Sequence, residues 1–90
     1  MLSAFRKSND ADAAALGNAI QQQDIVAVAQ VSHRLMGASR IAGAKALANV
    51  CEALEQAALS GNWGGVVANG DACYRELERV SAYLRTMGGS

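Results

Sequence analysis

The only histidine of the chain, His33, is the side chain best suited to covalent chemistry. A neutral imidazole is nucleophilic through one ring nitrogen while the other carries the proton, and an acceptor for that proton fixes the tautomer. On a helical wheel, His33 lies about 130° from the centre of the apolar arc of its predicted helix, so it should face solvent. Gly37, one turn later, costs the helix about 1 kcal/mol relative to alanine but leaves the imidazole open to a bulky group. Close helix packing at Gly37 is the alternative explanation, and its outward position argues against it.

The sequence lacks the machinery for using ATP. It has no GxxxxGK[ST] phosphate loop and no cluster of carboxylates that would hold Mg²⁺. Cys51 and Cys73 lack CxxC spacing and lie on predicted apolar helix faces, which favours reduced core thiols over a metal site. We therefore expect no metal or cofactor bound by this chain and no kinase activity of its own. At most it would be the intermediate of a reaction that a partner drives.

The composition indicates one small helical domain. Ninety residues are enough for a single hydrophobic core. Hydrophobic residues make up 51%, aromatic residues only 4%, and proline is absent, and the alanine-rich remainder favours closely packed helices. Eight basic and eight acidic residues balance to zero net charge, which disfavours nucleic acid as a partner. Because the chain has neither a signal peptide nor a run of about 18 apolar residues, we expect no membrane insertion and a cytoplasmic location.

Short polar and glycine-containing segments divide the chain into helices. In three of these segments a polar side chain can cap the next helix, because its oxygen accepts from an N–H of the first turn. The predicted caps are Asn9 or Asp10, then Asp24, then Asn62. A further break is predicted at Gly43. A short helix would therefore precede Asn9, with longer helices after it.

Three of the longer helices carry apolar stripes at helical spacing. The stripes include Val28, Leu35 and Met36 in the first, Leu47, Cys51 and Leu54 in the second, and Val66, Cys73 and Leu77 in the third. Short connections make neighbouring helices antiparallel. The sequence therefore predicts an all-α fold, an up-and-down antiparallel four-helix bundle with a short extra N-terminal helix, over residues 1–87. Residues 88–90 would be a flexible tail or a cloning remnant.

A block on two successive predicted helices resembles a known family. Its residues are His33, Arg34, Leu35, Met36, Gly37, Ala38 and Ser39, then Gly43 and Ala44, then Leu47, Cys51, Leu54 and Glu55. The block is similar to the signature of histidine-containing phosphotransfer (HPt) domains, roughly HxxKGxS…GAxxLxxxCxxLE, and the helix lengths suit that family's bundle over essentially the whole chain. The resemblance implies that His33 accepts a phosphoryl group from the aspartate of a response-regulator receiver domain. It would pass the group to another receiver in a multistep phosphorelay, with Mg²⁺ held by the receiver domain.

One position departs from the family pattern. The family usually has lysine three residues after the histidine, where this chain has Met36. A lysine there would neutralise phosphoryl oxygens, whereas methionine adds only apolar contact. Arg34, Arg40 and Lys45 are the candidates to replace it, and the sequence does not choose among them.

Glu55 lies at the edge of the apolar stripe on the helix that follows His33. The matching family position commonly holds Gln or Glu that hydrogen-bonds the histidine, so Glu55 is the candidate orienter of the imidazole. A rim residue with its carboxylate in water is an equally good interpretation.

Small and apolar residues interrupt the polar surface around His33. Val26, Gln30, Gly37 and Ile41 lie on or beside this outward side, and we call these four residues the docking face. A mixed surface of this kind suits a transient interface, here with a receiver domain, although scattered apolar surface residues are also common without any function. The resemblance further implies a monomer, either free or as the terminal module of a hybrid sensor kinase in the inner membrane. The abrupt start and the Gly-Gly-Ser end favour the excised module.

Two other functions compete with this interpretation. The phosphoacceptor domain of a histidine kinase is also a helical bundle, but it usually has an acidic residue directly after its histidine, where this chain has Arg34. A non-catalytic interaction or adaptor bundle is the second alternative. The combination of an outward His33, Gly37 one turn later and the matching block on the next helix argues against it, because packing alone does not demand that combination.

Overall fold

The computed structural model describes the backbone of residues 2–88 and the side chains of Lys7 and residues 9–83. Within that part of the chain all regular structure is helical, which confirms the all-α prediction. The four helices are α1 (Leu2–Gln21), α2 (Ile25–Ala42), α3 (Lys45–Leu59) and α4 (Trp63–Gly88). The last helix includes Gly88, which the sequence assigns to a tail, and residues 89–90 lie outside the described residues.

The predicted short N-terminal helix is not a separate element. α1 runs without a break through Ser8, Asn9 and Asp10, so neither Asn9 nor Asp10 starts a new helix. Polar residues of these types each cost a helix only a few tenths of a kcal/mol, and no proline or glycine interrupts the run. Asn9 is also 2% exposed, on the stripe of α1 that continues through Leu16, so burial of that face carries the helix across the segment.

The other predicted helix ends are confirmed. The carboxylate of Asp24 accepts from the Ala27 amide at 3.1 Å, and the Asn62 side chain accepts from the Gly65 amide at 3.0 Å. Gly43 ends α2 in the left-handed conformation at a φ of 78°, where a residue without Cβ is free of strain. Each cap satisfies backbone groups that a helix end leaves without partners.

The core lies where the four helices meet. Each helix packs against the next one along the chain, and α4 also packs against α1, so the helices enclose a single cluster of apolar side chains. Its fully enclosed members are Leu16, Val28, Leu35, Cys51, Leu54, Val66 and Cys73. Two serines of α2 share this interior, and each hydroxyl donates to the carbonyl one turn earlier, Ser32 to Val28 and Ser39 to Leu35, both at 2.6 Å. The interior face of α2 is thereby fixed, and with it the outward direction of His33.

Candidate functional site

His33 lies on the solvent side of α2 and contacts a carboxylate of α3. Its Nδ1 is 3.0 Å from Oε2 of Glu55, while 70% of the His33 side chain is exposed. A carboxylate only accepts hydrogen bonds, so Glu55 is placed to accept from Nδ1 when that nitrogen carries a proton. The lone pair of the neutral ring is then on Nε2. One ring nitrogen thus lies against a carboxylate, while most of the side chain faces solvent.

The packing of α3 explains why Glu55 reaches this position. Leu54, next to it, is fully buried, and Cys51, one turn earlier, is also fully buried, so the helix cannot rotate without exposing them. Glu55 therefore sits at the rim of the α2–α3 contact, with 15% of its side chain exposed. Hydrogen bonds to a carboxylate are stronger where water competes less. The arrangement places a carboxylate with limited access to water beside the imidazole.

Open space surrounds Gly37, one turn after His33. A Cβ placed on Gly37 would meet no atom within 4 Å, so this glycine does not serve helix packing. Its effect is to remove a side chain from the surface next to the imidazole.

We expect Gly37→Ala to stabilise the fold by about 1 kcal/mol, because alanine is the better helix former and the new methyl group meets nothing. Urea unfolding followed by circular dichroism would measure the change. Gly17→Ala is the matched control, since its Cβ would lie 2.7 Å from the Tyr74 hydroxyl and should bring no gain. A wild-type or lower stability of Gly37→Ala would contradict the open space seen at this position.

Arg34, the residue after His33, pairs with a carboxylate of α1. Its Nε donates to Oδ1 of Asp12 at 2.7 Å, and the Asp12 side chain is 5% exposed. The second carboxylate oxygen of Asp12 is buried without a hydrogen-bond partner among the described residues. The Arg34 guanidinium is therefore the group that compensates a buried negative charge, and it ties α1 to α2 beside the site.

We expect Arg34→Ala to destabilise the fold by about 2 kcal/mol, because it leaves the enclosed Asp12 carboxylate without its partner. Arg40→Ala is the matched control: it breaks the exposed 3.4 Å pair with Glu52, which should cost about 0.5 kcal/mol or less. Urea midpoints of both variants measure the difference. Equal, small losses would mean that the Arg34–Asp12 pair carries no more weight than an ordinary surface pair.

The other cationic candidates lie farther from the imidazole. Arg40, two turns beyond His33 on α2, pairs with Glu52 of α3, and Lys45 is the exposed first residue of α3. Met36, at the family's lysine position, is 8% exposed and packs in the core. A lysine in its place would have to leave that cluster to reach a phosphoryl group. The structure thus brings Glu55 to His33, and it directs both Arg34 and Arg40 to carboxylates.

The docking face is open along α2. Val26 is 63% exposed and Ile41 is 91% exposed, and Gln30 and Gly37 are exposed as well. The four residues of the predicted docking face are therefore all accessible on one helix.

Asp12 is the site residue that sequence reasoning missed. The signal was present in α1, where Asn9, Asp12, Leu16 and Ala19 recur at helical spacing and all are buried. A carboxylate on a buried stripe requires a cation from a neighbouring helix. The partner, Arg34, could not be chosen without the structure, because several arginines were available.

Two further properties concern the described residues. No three His, Cys, Asp or Glu side chains among them lie close enough together to hold a metal ion. No helix in the same part of the chain is long and apolar enough to cross a membrane.

Comparison with known proteins identifies the family. A family model described as Hpt domain matches residues 1–87, which is nearly the whole chain. No curated protein and no solved structure matches the chain. Hpt domains carry out histidine phosphotransfer and interact with receiver domains in phosphorelays. With a match over 87 of its 90 residues, the chain belongs to the family of Hpt domains.

Proposed function

We propose that this chain accepts a phosphoryl group on Nε2 of His33 from the aspartate of a receiver domain and passes it to the aspartate of another receiver. The single observation that carries the proposal is the geometry of the imidazole: Nδ1 is held by Glu55 at 3.0 Å, and the side chain is 70% exposed. A histidine whose only role is structural has no need of both features.

The chemistry follows from the tautomer. The Nε2 lone pair attacks the phosphorus of the aspartyl phosphate, the new N–P bond forms, and the P–O bond to the aspartate breaks with its electrons leaving on the carboxylate. Nδ1 keeps its proton, so the phosphorylated ring carries positive charge. The Glu55 carboxylate compensates that charge through the same hydrogen bond. Return transfer to a second aspartate reverses these steps.

The docking face supports a receiver as the partner. Gly37 leaves open space one turn after His33, and Val26 and Ile41 add exposed apolar side chains on the same helix. A second protein can therefore bind this surface and bring its phosphorylated aspartate to Nε2. We assign the Mg²⁺ of the reaction to the receiver, where it neutralises the phosphoryl oxygens. Because Arg34 and Arg40 face carboxylates of their own, this chain contributes mainly the nucleophile and its orienting carboxylate. We take the chain to act as a monomer.

We also infer an up-and-down course of the helices, in which α3 runs antiparallel to α2 and brings Glu55 beside His33. Three pairs of contacts support it. On α2 and α3, His33 meets Glu55, while Arg40, farther along α2, meets the earlier residue Glu52. The same reversed order of contacts, typical of antiparallel helices, is found in two other helix pairs. Between α3 and α4, Cys51 meets Cys73 and Ala57 meets Gly65; between α1 and α4, Ala13 meets Tyr74 and Ile20 meets Gly70.

The test is transfer from a phosphorylated receiver. Purified chain is mixed with Mg²⁺ and radiolabelled phospho-receiver domains, and we expect an acid-labile, base-stable label on the chain. Incubation with radiolabelled ATP and Mg²⁺ alone should give no label. Absence of label from a panel of receivers, while the chain is folded and helical, would favour the non-catalytic interaction bundle.

A further inference from the structure

Two cysteines meet in the core on the side of α3 that faces α4. The sulfurs of Cys51 and Cys73 lie 3.9 Å apart, both side chains are fully buried, and both thiols are free. A disulfide requires sulfurs at about 2 Å, so closure needs a further approach of about 2 Å, which side-chain rotation and small helix shifts can share. Neither cysteine contributes to the proposed phosphotransfer.

Small residues allow the helices on either side of Cys73 to approach closely. A Cβ on Gly65 of α4 would lie 3.1 Å from the Cβ of Ala57 on α3, and a Cβ on Gly70 would lie 3.0 Å from Ile20 of α1. Glycines at these positions let α4 settle against its neighbours. The two cysteine-bearing segments are thus held at short range by the packing on both sides of α4.

We propose that Cys51 and Cys73 form a reversible intramolecular disulfide that joins α3 to α4 when the chain meets hydrogen peroxide. The sulfur of Cys73 attacks one peroxide oxygen, the O–O bond breaks, and a sulfenic acid and water result once the leaving hydroxide takes the thiol proton. The Cys51 sulfur then attacks the Cys73 sulfur, the S–S bond forms, and the displaced hydroxide leaves as a second water with the Cys51 proton. Two thiols and one peroxide give one disulfide and two waters.

The contact between the sulfurs couples the two thiols. The hydrogen bond from Cys51 lowers the pKa of the Cys73 thiol, and the same hydrogen bond together with burial raises the pKa of Cys51. Since the thiolate is the nucleophile, we take Cys73 as the thiol that reacts first and Cys51 as the one that resolves, and the opposite order gives the same products. Both sulfurs are fully buried, so the reaction requires local opening of α4, whose first turns contain glycines of low helix propensity at 64, 65 and 70.

The disulfide can be mapped directly, because proteolysis between the two cysteines distinguishes the linked protein from the reduced protein. Cleavage after Glu52 and Glu55 separates the two cysteines, so their peptides stay together only if a disulfide links them. The folded wild-type chain is treated with peroxide, unreacted thiols are alkylated in denaturant, and the digest is analysed by mass spectrometry. We expect the linked peptide pair, a loss of two hydrogens from the intact chain, and recovery of both thiols with dithiothreitol. Cys51→Ser and Cys73→Ser are the matched controls, and neither should form the link.

The link should also change the stability of the fold. A disulfide closes the loop between Cys51 and Cys73 and so reduces the conformational entropy of the unfolded chain. We therefore expect the linked protein to melt roughly 10 °C higher than the reduced one. Failure to find the linked peptides in peroxide-treated folded protein, or finding them only between two chains, would overturn the proposal. A lower melting temperature of the linked protein would show that the bond does not fit between native α3 and α4, and would overturn it as well.

Discussion

His33→Gln is expected to abolish acceptance of the phosphoryl group while leaving the fold intact. Glutamine keeps hydrogen-bonding capacity but has no nitrogen lone pair that can form a stable N–P bond, so no label should appear after incubation with phospho-receiver and Mg²⁺. The side chain is 70% exposed and packs little, so we expect the loss of its contact with Glu55 to cost about 1 kcal/mol and the fold to remain intact. Phosphotransfer assays and a urea titration of the same preparation measure both quantities.

The control for His33→Gln is an exposed residue far from the docking face. Arg75→Gln removes the surface pair with Asp71 on α4, and we expect transfer at the wild-type rate. Binding of His33→Gln to the unphosphorylated receiver should also remain within a fewfold of wild type, since the docking face is unchanged. Label on His33→Gln at the wild-type level would place the acceptor on another residue.

Glu55→Ala is expected to lower the rate of phosphoryl transfer by about tenfold or more. In the proposed mechanism, the variant removes both the acceptor for the Nδ1 proton and the charge that compensates the phosphorylated ring. A hydrogen bond to a charged group contributes roughly 1.5 to 3 kcal/mol, and about 1.4 kcal/mol corresponds to a factor of ten in rate. Glu55→Gln keeps the acceptor and loses the charge, so its rate should fall between those of wild type and Glu55→Ala.

Glu52→Ala is the matched control for Glu55→Ala. It removes a glutamate one turn earlier on the same helix, whose exposed partner is Arg40 at 3.4 Å and not the histidine. We expect its transfer rate within about twofold of wild type. Single-turnover rates at saturating phospho-receiver separate the chemical step from docking. Equal rates for Glu55→Ala and wild type, or equal losses in both glutamate variants, would remove Glu55 from the mechanism.

Local signals predicted most of the fold. Asp24, Gly43 and Asn62 mark helix ends by chemistry that acts within one turn, and each ends or caps a helix in the structure. The break predicted near Asn9 was wrong because burial of one face of α1 outweighs the weak helix propensity of the polar residues there. Tertiary packing decides whether such a segment is helical, and a local sequence pattern carries no information about that packing.

The site was predictable in part. The helical period alone is enough to direct His33 outward, and its exposure of 70% agrees with that direction. The choice between a Glu55 that contacts the histidine and one that points into water depends on how α3 sits against α2, which is a property of the packed bundle. The same holds for Arg34, because its partner Asp12 is on another helix and a local pattern does not contain the 2.7 Å contact between them.

The central claim is that Nε2 of His33 carries the phosphoryl group, and NMR of the phosphorylated, isotope-labelled chain tests it most directly. Phosphorus–proton and phosphorus–nitrogen couplings distinguish the two ring nitrogens. The structure predicts phosphorus bonded to Nε2, with the proton still on Nδ1 and protected by Glu55. Phosphorus on Nδ1, or on a residue other than His33, would contradict the account.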